Sequence, residues 1–455
     1  MSTDLTSNNS TAPASGENPF GEEASATALL RFATAGSVDD GKSTLVGRLL
    51  HDSKSVLADQ LEAVERVSLG RGQETPDLAL LTDGLRAERE QGITIDVAYR
   101  YFATPRRRFI LADTPGHVQY TRNMVTGAST AELAVVLVDA RNGVVEQTRR
   151  HAAVAALLRV PHVVLAVNKM DLVEYAEPVF AAIAAEFTAY AASLGVEDVV
   201  AVPISALAGD NVVEPSAHMD WYGGPTLLEH LETVPVGSDP SDEPARFPVQ
   251  YVIRPQSADF PDYRGYAGQL ASGVLRTGDT VTVLPSGHTT TVAGIDALGR
   301  ETDVAWAPQS VTVRLAEDID VSRGDLIAAG VIPTPTKDVV ATVCHLHERP
   351  LRAGDKVLLK HTTRTVRALV KEIEYRIDID SLEQRSGADG LSVNDIGHVR
   401  LRTSEPLSLD DYTDNRRTGS FLLIDPADGT TLTAGMAGEA FETVAVDATD
   451  EEDWV

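Results

Sequence analysis

At 455 residues, 43% of them hydrophobic, the chain is long enough for about three domains, each with its own core. Its 67 acidic against 39 basic residues give a net charge of −28, a field that repels nucleic-acid phosphates, so no nucleic acid is expected as a partner. No run of about 18 apolar residues is present to cross a bilayer, so no membrane partner is expected, and a single cysteine, Cys344, excludes an internal disulfide and a cysteine-based metal cluster.

Residues 1–27 are rich in Ser, Thr, Asn, Gly and Glu and lack the basic and apolar stretches of a secretory signal. They read as a disordered tail on a cytoplasmic protein. From 28 to 236, strand-like apolar runs alternate with helical stretches, the pattern of an α/β domain with a mostly parallel sheet. Leu29–Ala35 predicts its first strand, and Ser43–Leu50 opens a helix. Between them Gly36, Ser37, Val38, Asp39, Asp40, Gly41, Lys42, Ser43 and Thr44 spell G-x-x-x-x-G-K-[ST], a phosphate-binding loop. Its glycines let successive N–H groups turn toward phosphate oxygens, Lys42 reaches the β/γ-phosphates, and the Ser43 hydroxyl is placed to ligate Mg²⁺.

The runs Phe109–Ala112, Leu133–Val138 and Val163–Val167 read as strands buried on both faces. Phe180, Ile183, Phe187, Tyr190 and Leu194 then recur in steps of three and four, one apolar stripe on a helix. Each strand end carries chemistry. Asp113, Thr114, Pro115, Gly116 and His117 follow the second strand; Asp113 can hold Mg²⁺ through water, and a glycine N–H can meet a γ-phosphate. Standing alone, this would be a plain Pro-Gly turn. Asn168, Lys169, Met170 and Asp171 follow Val163–Val167; the Asp171 carboxylate can accept from guanine N1–H and N2–H₂, which adenine cannot supply, while Asn168 serves the opposite edge. Ser205, Ala206 and Leu207 follow Val199–Ile204 and can cover guanine O6 with a backbone N–H. In this order, at the carboxyl ends of successive strands, they point to GTP as the ligand.

A polar, Pro-containing linker over 236–244 ends this domain. Thr280–Val283, Thr289–Val292 and Val311–Leu315 alternate at period two, and a second break falls at Val331–Thr336. Val357–Lys360, Val366–Val370, His398–Leu401 and Phe421–Ile424 follow. Two all-β barrels, over 245–332 and 334–443, are the economical reading. Cys344 falls on a strand pattern, as a buried structural thiol rather than a reactive one. Residues 444–455 form an acidic tail.

With these residues in place, the chain resembles the translation-factor class of GTPases. That resemblance implies an α/β P-loop GTPase domain followed by two all-β barrel domains, the elongation-factor-like three-domain architecture. Glu88–Asp96 looks like the first switch, with Thr94 closing on Mg²⁺ and the γ-phosphate. Asp113–His117 begins the second, and His117 matches the histidine that orients the attacking water behind a hydrophobic gate of Val38 and Ile93. Asp39 matches a carboxylate that binds a monovalent cation, K⁺, in some of these GTPases; the alternative is a structural cap within the loop.

The segments Tyr99–Ser129, Val138–His151, Arg264–Gln269 and Asn415–Phe421 narrow the resemblance to the large, GTPase subunit of bacterial sulfate adenylyltransferase, from about residue 28 to 443. This implies a heteromeric enzyme in which a smaller catalytic subunit makes adenosine 5′-phosphosulfate and pyrophosphate from ATP and sulfate, driven by GTP hydrolysis on the large one, as the first step of sulfate assimilation. The competing reading is an elongation factor delivering aminoacyl-tRNA, which would share the GTPase domain, both barrels and the Asp220–Thr226 segment. The acidic charge and the run Tyr412–Phe421 count against it. The chain shows no second phosphate loop before Val455, so no fused adenylylsulfate kinase is expected.

Overall fold

The computed structural model describes residues 29–54, 62, 64, 66–68, 78–81, 97–115, 121–236, 242–255, 262–378, 381, 383–439 and 444–445. Six strands, β1 (Leu29–Ala35), β2 (Ala98–Ala103), β3 (Arg108–Asp113), β4 (Leu133–Asp139), β5 (His162–Asn168) and β6 (Val199–Pro203), form one sheet in the order β2-β3-β1-β4-β5-β6. From β3 to β6 the strands are parallel; β2 pairs antiparallel with β3 at the edge. All seven residues of β4 are buried, as a strand covered on both faces requires.

Helices α1 (Lys42–Asp52), α2 (Thr121–Ala128), α3 (Glu146–Leu157), α4 (Glu177–Ser193) and α5 (Leu227–Thr233) supply that cover. Leu45 and Leu49 of α1 and Leu227 and Leu231 of α5 pack on one face with Phe32 and Phe109. Met124 of α2, Val154 and Leu157 of α3, and Ile183 and Phe187 of α4 pack on the other. The stripe on α4 packs toward the core as its spacing predicts, with Leu194 buried just past its end and Phe180 and Tyr190 partly buried against the same cluster. Ile183, Phe187 and Ala191 are buried, whereas Phe180 leans on Trp221 at 5.5 Å between ring centroids and Tyr190 carries the Arg149 guanidinium at 5.6 Å.

The second body contains β7 (Arg246–Ile253), β8 (Gly265–Gln269), β9 (Val274–Arg276), β10 (Thr280–Leu284), β11 (His288–Ala297), β12 (Arg300–Thr302), β13 (Val304–Trp306), β14 (Ser310–Leu315) and β15 (Leu326–Ala328). Pairing in the order β10-β15-β7-β8-β14-β11, closed by β10 on β11, makes a six-stranded barrel around Phe247, Val249, Val281, Val313 and Ile327. The third contains β16 (Thr336–His345), β17 (Lys356–His361), β18 (Arg364–Ile377), β19 (Glu383–Ser386), β20 (Ile396–Leu407), β21 (Ser420–Ile424), β22 (Thr431–Ala437) and β23 (Val444–Ala445). Its ring β17-β21-β22-β16-β20-β18 closes through β17 and β18. Cys344 lies on β16 at 1% exposure, and burial pushes its thiol up to about 12, the inert state of a buried cysteine.

The three bodies meet around residues 410–418. Tyr412 Oη donates to Leu158 O at 3.0 Å, and Arg416 donates to Ala131 O and Ser129 O just past α2, at 3.2 and 3.1 Å. Arg246 of the first barrel makes a two-pronged ion pair with Asp410, at 2.9 and 2.8 Å. No described helix is long and apolar enough to cross a membrane.

Candidate nucleotide site

The loop after β1 turns back through Gly41, at φ +93°. A Cβ there would stand 2.4 Å from Asn168 Nδ2, so the position admits only glycine on two counts. Helix α1 starts at Lys42 with no side-chain cap and no acid in its first turn, leaving first-turn N–H groups for an anion. Lys42 is 7% exposed, and its ammonium donates to Gly36 O and Ser37 O, both at 2.8 Å. Burial lowers its pKa against the pull of Asp113, Asp40 and Asp39. A desolvated ammonium held over an uncapped helix start fits a phosphate group. Ser43 and Thr44, on the first turn, are half-buried; Val38 is exposed.

The cap within the loop belongs to Asp40. Its Oδ2 accepts from Ser37 N at 2.5 Å, and burial raises its pKa despite that bond. Asp39, at φ +69°, is exposed, and its carbonyl accepts from Lys169 Nζ. The structural alternative entertained for Asp39 therefore moves one residue on, because the Asp40 carboxylate has the i+3 reach to the Ser37 amide.

Asp113 closes β3 at 2% exposure and accepts from Thr34 Oγ1 at 3.1 Å, while Thr114 Oγ1 donates to Thr34 O at 2.5 Å. Pro115 is buried beside them. Ile93, Thr94, Gly116 and His117 lie outside the described residues.

Asn168 also braces the loops around the site. At 2% exposure its Nδ2 donates to Asp40 O at 2.7 Å and its Oδ1 accepts from Ala206 N at 2.9 Å. One carboxamide thus staples the phosphate loop to the end of β5 and to the loop after β6. Within that last loop the Ser205 amide goes to Asp210 O at 3.2 Å and the Ser205 hydroxyl accepts from Ala208 N. Leu207 is 64% exposed, and its N–H bonds to no described residue, which makes it the amide of the three available to a base. Met170 is fully buried, and Asp171 sits half-buried on the short turn Met170–Val173.

Two neighbours were not read from the sequence. Asp139, at the end of β4, has a side chain 1% exposed and pairs with Lys169 Nζ at 2.9 Å and Arg141 Nη2 at 2.6 Å. Burial would raise its pKa, but hydrogen bonds from Arg141 and Lys169 outweigh it and hold the carboxyl below the usual carboxylate range. Arg48 of α1 donates to Ala206 O at 3.1 Å and also to Leu207 O. The available signal for Asp139 was its place at the end of a strand flanked by two others whose loops carry the motifs.

The Elongation factor Tu GTP binding domain family matches residues 27–236, and the GTP-eEF1A C-terminal domain-like family matches 338–437. The chain is 58% identical over 412 residues to the "Bifunctional enzyme CysN/CysC" of Mycobacterium tuberculosis (strain H37Rv), covering 90% of this chain and 67% of that one. It is 50% identical over 426 residues to "Sulfate adenylyltransferase subunit 1" of Bacteroides fragilis, covering 93% and 88%. The same subunit of Aeromonas salmonicida is 50% identical over 421 residues, covering 92% and 88%. With the loop geometry above, these likenesses make the chain a GTP-binding enzyme subunit that belongs to the sulfate adenylyltransferase subunit 1 family.

Proposed function

We propose that the chain hydrolyses GTP to drive a partner subunit that makes adenosine 5′-phosphosulfate and pyrophosphate from ATP and sulfate, in the cytoplasm. The observation that carries this reading is the likeness to subunit 1 enzymes over nine-tenths of the chain, both barrels included. The barrels follow an α/β domain of about 209 residues (28–236), with unit boundaries taken at 236–245 and 332–334.

GTP is the substrate. Gly36–Thr44 and the start of α1 would hold its phosphates, and Asp171 and the Leu207 amide its guanine, with Asn168 bracing the loops between them. Lys42 compensates phosphate charge from a desolvated position. Mg²⁺ would be held by Ser43, Thr94 and, through water, Asp113; when bound, it neutralises charge on the β- and γ-phosphate oxygens. Asp113 is pre-oriented by Thr34 for that task. Gly116 would offer its N–H to the γ-phosphate, and His117 would orient the attacking water behind Val38 and Ile93. A monovalent cation, K⁺, at Asp39 or contact with the partner would complete the charge compensation.

His117→Ala tests the catalytic assignment. GTP affinity should stay within about twofold while partner-stimulated hydrolysis falls by about 10² or more. Near-normal turnover would refute the role. Asp171→Asn should shift preference from GTP toward xanthosine triphosphate, and an unchanged preference would refute base reading.

A further inference from the structure

Among the described residues, nothing covers one face of the sheet near β2. Tyr101 stands opposite Ile110 of β3, which stands opposite Arg31 of β1. One step along, Tyr99 stands opposite Ala112. The end of α2 covers Ala112, where a Cβ on Gly127 would stand 3.4 Å from the Ala112 Cβ, and among the described residues the cover stops there. Tyr99 is 43% and Tyr101 70% exposed, and a cavity of about 270 Å³ separates them from the turn at Thr130 and Ala131. Two large side chains left exposed together on the antiparallel edge strand, beside a cavity, mark a contact surface. Tyrosine also gives large contact area at low entropic cost.

The rim is basic although the chain is strongly acidic. Arg31 and Arg108 share the tyrosines' face and Arg106 lies at the adjoining turn, where it pairs with Glu232, while Glu132 accepts from the Arg31 backbone amide. Symmetrical docking of a second copy through this face would bring Arg31 and Arg108 against their own kind, which disfavours a homodimer here. The surface also joins both proposed nucleotide-sensing segments, since β2 follows Glu88–Asp96 and β3 ends at Asp113.

We propose that the catalytic partner subunit docks on this face, laying apolar side chains on Tyr99, Tyr101 and Ile110 and carboxylates against Arg31 and Arg108. The assignment rests on the two-subunit reading above. A partner seated there bears on the strands between the two segments that answer the γ-phosphate, so docking and nucleotide state are linked.

The test uses the full-length chain and the purified smaller catalytic subunit of the same organism, with binding followed by calorimetry at two salt concentrations. Tyr99→Ala/Tyr101→Ala and Arg31→Glu/Arg108→Glu should each weaken binding at least about tenfold while leaving GTP affinity unchanged. The wild-type affinity should fall as salt rises. Tyr251→Ala, at a residue 67% exposed on the first barrel, should bind as wild type. If the wild-type pair forms and both double variants bind equally well, docking lies elsewhere and the proposal fails alone. If no wild-type pair forms, the two-subunit reading falls with it. Concentration-dependent self-association of the chain, abolished by the tyrosine variant, would assign the face to a second copy and overturn the proposal.

Discussion

Asp139 and Asn168 carry the nucleotide site by holding other residues in place. Asp139 Oδ2 fixes Lys169, and Lys169 in turn bonds the Asp39 carbonyl of the phosphate loop. Asp139→Asn should therefore destabilise the fold at pH 7 by about 1.5–3 kcal/mol and weaken GTP binding. The Asp139 pKa lies below its unfolded value of 3.8, so the contribution is present in full above that pH and is lost as pH falls through the folded pKa. Urea titrations of variant and wild type should converge on acidification. His151 on α3 behaves oppositely in charge: burial, with Lys42 and Arg150 nearby, pushes it down to about 3, so it folds neutral. Below its unfolded value of 6.5 the unfolded chain takes the proton first, and stability falls by up to about 1.4 kcal/mol per pH unit. His151→Gln should remove one proton's share of that slope; His345, His361 and His398, also depressed by burial, retain theirs. Gly41→Ala should abolish GTP binding in a fluorescent-nucleotide titration while the chain still folds, since the clash is confined to Asn168. The motif residues were legible because they are consecutive in sequence. The bracing by Asn168 was not, because its partner Asp40 lies 128 residues away and no local pattern records the pairing.

The elements divide along the same line. Strands β3 to β6 were legible as apolar runs because burial on both faces leaves no polar alternation to misread. Strand β2 was not, because its inward residues are few: Phe102 is buried, whereas Tyr99, Tyr101 and Ala103 face outward and read as loop. In the barrels, three-residue strands such as β9, β13 and β15 fall below any periodicity a sequence can display. Helix α2 shows how elements are tied across bodies. The segment just past its end gives two carbonyls, Ser129 O and Ala131 O, to Arg416 of the second barrel. Arg416→Ala should speed amide hydrogen exchange over residues 121–131 by about tenfold, with the centre of β4 unchanged as the internal reference.

Across the whole molecule, the run 410–418 acts as the junction of all three bodies. Asp410 receives Arg246, whose side chain is 3% exposed, and Asn415 Nδ2 reaches Glu243 and Ser272 at 3.0 and 2.9 Å. The apolar cluster of the GTPase sheet continues into the second barrel through Tyr412, Cys344, Ile396 and Met436. Removing one partner from the buried ion pair should be costly: Arg246→Ala should lower stability by about 3–5 kcal/mol and split one calorimetric transition into two. The three-body order was legible from composition, because the linker over 236–244 and the Pro-rich break at 331–336 interrupt every hydrophobic pattern. The packing among bodies was not, because contacts between residues far apart in sequence set it, among them the shared apolar cluster, the Arg246–Asp410 ion pair and the Tyr412–Leu158 hydrogen bond. On the proposed reading, that packing would connect a GTPase cycle to a partner's chemistry. The direct measurement is pyrophosphate release from ATP in the reconstituted pair, with sulfate present or absent and with GTP, GDP or a non-hydrolysable GTP analogue. Sulfate-dependent release that rises with GTP, and does not rise with GDP or the analogue, is the predicted result; release indifferent to GTP would contradict the account.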